Sequence, residues 1–280
     1  MKYAVVTGVS SGIGKATAIL LLQNGYTVFG SVRKEQDAES LRREYPETFH
    51  TLIFDTTDYP AVDQAIASVE KVVGEHGLDL LVNNAGIAKY GPMQHVSIDM
   101  MREQFEVNVH SVVYFTQKCM HMLGAYRGAQ HHGRIITISS TAGVMTRPLL
   151  GSYSGSKHAI EAIFDAWRRE MMVYGIPVIL IQPGPIKTEI WHKAKKAENP
   201  FMDTDYGKAF DSLNSEIEKI EDVALDVSAV TKAVWHAATN KNPKTRYIVA
   251  PKKAQFLLAM YVLPDKTLDK IFFKQIKKLF

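Results

Sequence analysis

The chain has 280 residues, 46% of them hydrophobic and 22% charged, the composition of one large globular domain. Its formal charge of +4 is too mild to argue for nucleic acid, and its single cysteine, Cys119, excludes an internal disulfide. No apolar stretch approaches the roughly 20 residues that cross a bilayer, and no leader peptide fits ahead of Tyr3, so a cytoplasmic protein is expected.

In chain order, apolar β-branched runs at Tyr3–Thr7, Thr27–Ser31, Thr51–Phe54, Leu78–Asn83, Arg134–Ser139, Val178–Gln182 and Arg246–Val249 predict strands covered on both faces. Helical patterns lie between them at Ile13–Asn24, Tyr59–His76, Met100–Tyr126, Ser152–Tyr174 and Asp222–Thr239. The alternation predicts an α/β fold: a doubly wound, Rossmann-like parallel sheet of about seven strands with helices on both faces. No linker-like stretch divides it, so the chain reads as a single domain. Ligands of such sheets bind at the carboxyl ends of the strands, and the residues with chemistry fall there.

The first strand runs into Thr7-Gly8-Val9-Ser10-Ser11-Gly12-Ile13-Gly14 and then an apolar helix. Glycines allow close backbone approach, and a helix N-terminus offers free N–H groups to a phosphate. A glycine-rich turn alone is weak evidence; its place between strand and helix makes a dinucleotide site the better reading, with Gly8, Ser10, Ser11, Gly12, Ile13 and Gly14 as contacts. An NAD site usually ends its second strand on an acid that binds the ribose diol. Here Val32 stands at that end and Arg33 follows, a forked donor suited to a 2′-phosphate. NADP(H) is therefore the expected cofactor, with Arg33 and Ser10 on the 2′-phosphate. Glu35 nearby keeps NAD(H) as the second choice. Asp55 follows the third strand, where it could accept from an adenine or simply make a turn. After the fourth strand, Asn83-Asn84-Ala85-Gly86 has small residues that leave room for a ribose beside the backbone.

Beyond the fifth strand lie Ser139 and Ser140, then Tyr153 thirteen residues past Ser140, then Lys157. Residues four apart share a helix face. A phenol titrates near ~10 in water, too high for proton transfer at neutral pH. A cation about 4 Å away, at an effective dielectric near ~20, contributes roughly 4 kcal/mol, about a thousandfold in acidity. Tyr-x3-Lys alone is more often a half-buried tyrosine with a solvated lysine; beside the glycine loop, the strand-end asparagines and Ser140 that reading fails.

Taken together the motifs resemble the short-chain dehydrogenase/reductase family, in its compact single-domain branch. They are Thr7-Gly8 to Gly14, Asn83 to Gly86, Ser140 with Tyr153 and Lys157, and Pro183-Gly184 with Thr188; the likeness runs from about residue 2 to about 190. It implies a catalytic tetrad of Asn108, Ser140, Tyr153 and Lys157. Tyr153 would exchange the proton, Ser140 would bond the substrate oxygen, and Lys157 would hold the nicotinamide ribose. Asn108 would position a relay water. Tyr153 and Lys157 would thus also touch the cofactor, and Pro183, Gly184, Ile186 and Thr188 would wrap the nicotinamide. The expected reaction interconverts an alcohol and its carbonyl. An NADP(H)-binding sensor or scaffold without turnover is the alternative, and an isomerase or dehydratase a smaller one.

Residues 186–221 fall where this family carries its substrate lid. Ile190, Trp191, Phe201, Met202, Tyr206 and Phe210 there, with Met93, Met145, Leu149 and Leu150, suggest an apolar pocket for a steroid-, retinoid- or lipid-like substrate. The lysine-rich tail from 252 to 280 carries Ile271, Phe272, Phe273, Ile276 and Leu279 at helical spacing. Packing on the domain or on a second copy is preferred there over a membrane-surface helix. Phe164, Trp167, Met171 and Met172 on the Tyr153 helix suggest a homo-oligomer. No metal is expected, because His121, His131 and His132 match no ligand spacing.

Overall fold

The computed structural model describes residues 1–188, 200–207 and 222–277. Seven strands form one parallel sheet in the order β3-β2-β1-β4-β5-β6-β7. They are β1 (Lys2–Val6), β2 (Tyr26–Val32), β3 (Phe49–Ile53), β4 (Leu80–Asn83), β5 (Arg134–Ile138), β6 (Val178–Pro183) and β7 (Arg246–Val249). The order reverses between β1 and β4, which opens a crevice at their carboxyl ends.

The helices are α1 (Gly12–Gln23), α2 (Glu39–Glu44), α3 (Tyr59–Val73), α4 (Ile98–Phe105), α5 (Ser111–Cys119), α6 (Gly151–Glu170), α7 (Val227–Thr239), α8 (Lys253–Tyr261) and α9 (Asp265–Ile276). α1 and α7 cover one sheet face, through Ala18, Leu21, Val230 and Val234 against Ala4, Val6 and Ile181. α3, α5 and α6 cover the other, through Val69, Phe115, Ile160 and Phe164 against Val5, Leu81 and Leu180. Both faces are therefore dry, which is why the strands read as unbroken apolar runs. Burying each Val, Ile or Leu stabilises the sheet by about 1.5–3 kcal/mol.

Three local outcomes differ from the sequence-based expectation. The single helix expected over Met100–Tyr126 is α4, a π-helical stretch at Glu106–His110, and α5, which ends at Cys119. The apolar period continues through the extra residue of the wide turn, so periodicity alone cannot reveal it. α2 and α8 carry no strong apolar stripe and were not expected. On α6, Phe164 belongs to the protein's own core, its ring 4.9 Å from that of Trp167. Only Met172 and Val173 beyond the helix are left strongly exposed, which weakens the apolar surface expected there for a second copy.

Candidate active site

The crevice is closed at its base by side chains that tie the loop after β1 to the loop after β4. Thr7 Oγ1 accepts from the backbone N–H of Asn84 and of Ala85, at 2.9 and 3.0 Å. Asn84 Nδ2 in turn donates to the carbonyls of Thr7 and Gly8, at 2.9 and 3.1 Å. Gly14 is held against this knot: a Cβ there would lie 2.2 Å from Gly8 O and 2.3 Å from Asn84 Nδ2. Gly8 has φ +72° and Gly12 φ +58°, so glycine meets the backbone need as well. Ser11 caps α1 without a side-chain hydrogen bond, and no acid stands in the first turn. That helix start, with its N–H groups free of a capping side chain, suits a diphosphate.

The opposite wall comes from the chain after β6. Gly184 N donates to Val249 O at 2.9 Å, and a Cβ on Gly184 would meet that of Ala250 at 2.9 Å. Ile186 then bridges to Leu225 and is buried. This course brings Thr188 over Gly12, where a Cβ would come within 3.3 Å of its methyl group. Gly12 and Thr188 thus lie against each other.

At the outer corner, Val9 N and Gly8 N donate to Ser31 O and Ser31 Oγ at 2.9 and 3.0 Å. The bonds carry Ser10 to the end of β2, beside exposed Arg33. Glu35 is bound instead to Arg42, at 2.7 Å. Asp55 makes an Asx turn, with Oδ1 accepting from Thr57 N and Oγ1. Burial raises its carboxyl, but the Thr57 bonds and the Arg33 charge prevail and hold it below the usual range.

Deeper in, Ser140, Tyr153 and Lys157 meet at the end of β5. Ser140 Oγ accepts from Ala142 N at 3.0 Å and donates to Pro183 O at 3.4 Å, near enough to the Tyr153 phenol to favour its ionised form. Ser139 points the other way. Its hydroxyl is buried without a partner, 2.9 Å from where a Gly143 Cβ would stand. The two serines therefore separate on geometry. Ser140→Ala is expected to lower kcat about 100-fold or more, as loss of an oxyanion donor does, and Ser139→Ala to leave it within a few-fold; steady-state kinetics on both variants checks this.

Lys157 lies one turn beyond Tyr153, its Nζ 5.9 Å from the phenol ring centre and donating to Ile138 O at 2.9 Å. The acidifying contact expected from the i,i+4 spacing is not what this arrangement provides. Burial raises the phenol above its ordinary value, and only the Ser140 bond opposes it. Burial likewise pulls the lysine down to about 8, with Glu161 acting against it. Glu161 is itself buried and fixed by Arg246 Nε at 2.9 Å, so an anion stands one turn below the ammonium.

Asn108 occupies the π-helical stretch and is 1% exposed. Its Oδ1 accepts from Ile87 N, while Nδ2 donates to Ile87 O at 2.9 Å and Ser156 Oγ at 3.0 Å. Gly86 lies directly above, with room for a Cβ only 3.1 Å from Asn108 Oδ1 and 3.9 Å from Lys157 Nζ. The side chain thus spends its two amide protons on Ile87 O in the loop and Ser156 Oγ on α6. Gln104, fully buried, continues the same clamp onto Lys89 N and Ile87 O. Gln104 had no recognisable spacing in the sequence. Neither did Tyr90, whose ring is 6.5 Å from that of Tyr153 and whose phenol burial pushes well up.

The apolar side of the cleft is partly in view. Leu149 takes a left-handed φ of 66° and accepts from Gly91 N through its carbonyl, at 2.8 Å. Such a conformation in leucine costs roughly 1–2 kcal/mol, and that bond helps hold it. Phe201 is buried against Gly91, and Met93 lies against Gly151. Met145 and Leu150 are half-buried, Met202 is exposed and Tyr206 stacks edge-on with His95. Ile190, Trp191 and Phe210 lie outside the described residues.

A nucleotide loop at the switch point and a Ser-Tyr-Lys group beside it define a dinucleotide-dependent oxidoreductase site. The family model for short chain dehydrogenase matches residues 2–199, and the chain belongs to that family. It is 61% identical over 279 residues to the NADPH-dependent 3-dehydrocapnine reductase of Ornithobacterium rhinotracheale, covering 100% of this chain and 99% of that one. To retinol dehydrogenase 7 of Rattus norvegicus it is 33% identical over 284 residues, 97% of this chain and 88% of the other. Among solved structures, a short-chain dehydrogenase from Streptomyces avermitilis superposes with a TM-score of 0.76 at 23% identity, over 99% and 95% of the two chains.

Proposed function

We propose that this protein is an NADP(H)-dependent ketoreductase acting on an apolar, lipid-like ketone, with 3-dehydrocapnine the first compound to try. The observation that carries the reading is the meeting of Ser140, Tyr153 and Lys157 at the end of β5, beside the glycine-rich loop after β1. The substrate follows the name of the relative from Ornithobacterium rhinotracheale; Phe201, Leu149 and Met93 supply the apolar wall it would need.

The residues fit the cofactor. The start of α1, at Gly12, Ile13 and Gly14, would take the diphosphate with Ser11 and Thr188. Gly8, Ala85 and Gly86 would lie against the riboses, Asn84 holding that loop, and Asp55 would edge the adenine. Arg33 and Ser10 would bind the 2′-phosphate, and Pro183, Gly184 and Ile186 would line the nicotinamide. Bound NADPH supplies the hydride. Tyr153 gives its proton to the ketone oxygen, Ser140 donates a hydrogen bond as charge grows there, and Lys157 turns its positive charge toward the phenol and the ribose. Asn108 is a positioning residue that pins Ile87 and Ser156 behind this group. Assembly with a second copy would use exposed Met172 and Val173, and sedimentation velocity gives that state.

Arg33 tests the cofactor. Arg33→Ala removes the charge-assisted bonds to the 2′-phosphate, worth about 1.5–3 kcal/mol, so kcat/KM for NADPH should fall about 10- to 100-fold while that for NADH stays within a few-fold. A wild-type enzyme that uses NADH as well as NADPH would contradict the assignment.

A further inference from the structure

The tail beyond β7 stands apart from the core that orders the rest of the chain. Among the described residues of α8, α9 and the turn between them none is buried. Leu258, Tyr261, Val262, Ile271 and Phe273 are 53%, 71%, 65%, 42% and 62% exposed. Helices of 9 and 12 residues are marginal in water unless an apolar face is covered. Scattered exposed apolar residues are ordinary, but five in one short segment mark a contact surface.

The charge pattern identifies what covers it. On α9, Leu268, Ile271, Phe272 and Ile276 follow the i, i+3, i+4, i+8 spacing of one helix face, while Lys266, Lys270 and Lys274 recur every fourth residue on the other side. Residues 252–280 hold seven Lys against two Asp, an excess larger than the +4 of the whole chain. A second copy docking by the apolar face would cover it but leave the lysine excess on the other side without a partner. The hydrocarbon edge and phosphates of an anionic bilayer satisfy both halves of the pattern at once. No helix among the described residues is long and apolar enough to cross a membrane, so the contact is a surface one.

We propose that α8 and α9 form a peripheral anchor that lies in the headgroup layer of an anionic lipid membrane. The anchor places the catalytic cleft on the bilayer that would hold an apolar ketone, yet it stands on the tail alone and needs no turnover to test.

Full-length protein is sedimented with vesicles of phosphatidylcholine, with or without an equal part of phosphatidylglycerol, at low and high salt. Binding to the anionic vesicles, released by salt, is expected. Each lysine near such a surface contributes roughly fivefold in partitioning, so Lys270→Gln with Lys274→Gln should weaken binding about 25-fold. Ile271→Ser with Phe272→Ser should weaken it as well, and circular dichroism should show both variants folded. Protein that stays in the supernatant, binds neutral vesicles equally, or instead forms a dimer that Ile271→Ser with Phe272→Ser breaks would overturn the proposal.

Discussion

Tyr153→Phe is expected to lower kcat for ketone reduction by about 10³, near the middle of the range for losing a positioned general acid, and to leave NADPH binding nearly unchanged. The ring stays in place, buried among the same neighbours and 6.5 Å from Tyr90, while the proton and the bond to Ser140 are lost. Because burial holds the free phenol above its ordinary value, Tyr153 begins as a good proton store and a poor base. Reduction uses the protonated form and should persist across neutral pH; alcohol oxidation needs the phenolate and should rise with pH. Stopped-flow fluorescence for binding, with rates in both directions, checks the two halves of this prediction.

Lys157→Met has the second large effect, a loss of about 10²-fold or more in kcat/KM through weaker cofactor binding and loss of the charge beside the phenol. Its stability consequence has a definite sign. The lysine is lowered from 10.5 to about 8 in the folded protein, chiefly by burial, with Glu161 opposing. Below about pH 8 both states are protonated, and the folded state bears the full cost of the buried charge. Between about 8 and 10.5 the folded state has shed a proton that the unfolded state still binds, so stability rises with pH. The span is on the order of 3 kcal/mol. Without cofactor, Lys157→Met should lack this rise, so its melting temperature relative to wild type should fall as pH goes from 8 to 10. Parallel melting curves would sink the idea.

The parts of the site legible in the sequence are those where physics leaves few residue types. Gly14 admits no side chain between Gly8 O and Asn84, and Gly8 and Gly12 need positive φ. A proton donor and a cation on one helix face demand a spacing such as that of Tyr153 and Lys157. The strands were legible because both sheet faces are covered. The π-helical turn around Asn108 was not, since a wide turn alters hydrogen bonding without breaking the apolar pattern. Tyr90 and Gln104 escaped because a loop and its clamp have no period. The phenol is not acidified as its spacing from Lys157 implies, for a related reason: spacing reports which side chains share a face, whereas acidity depends on burial and on where Lys157 Nζ finds its acceptor, here Ile138 O. The tail is largely exposed rather than packed on its own domain, because an amphipathic pattern shows that a face needs cover and not what supplies it.

The most direct test follows the hydride itself. NADPH carrying deuterium at the transferable position of the nicotinamide is incubated with 3-dehydrocapnine, and the product is weighed by mass spectrometry. An alcohol with a single deuterium on the former carbonyl carbon is expected from wild type and should be nearly absent with Tyr153→Phe. Unlabelled alcohol, or equal turnover by the Phe variant, would contradict it.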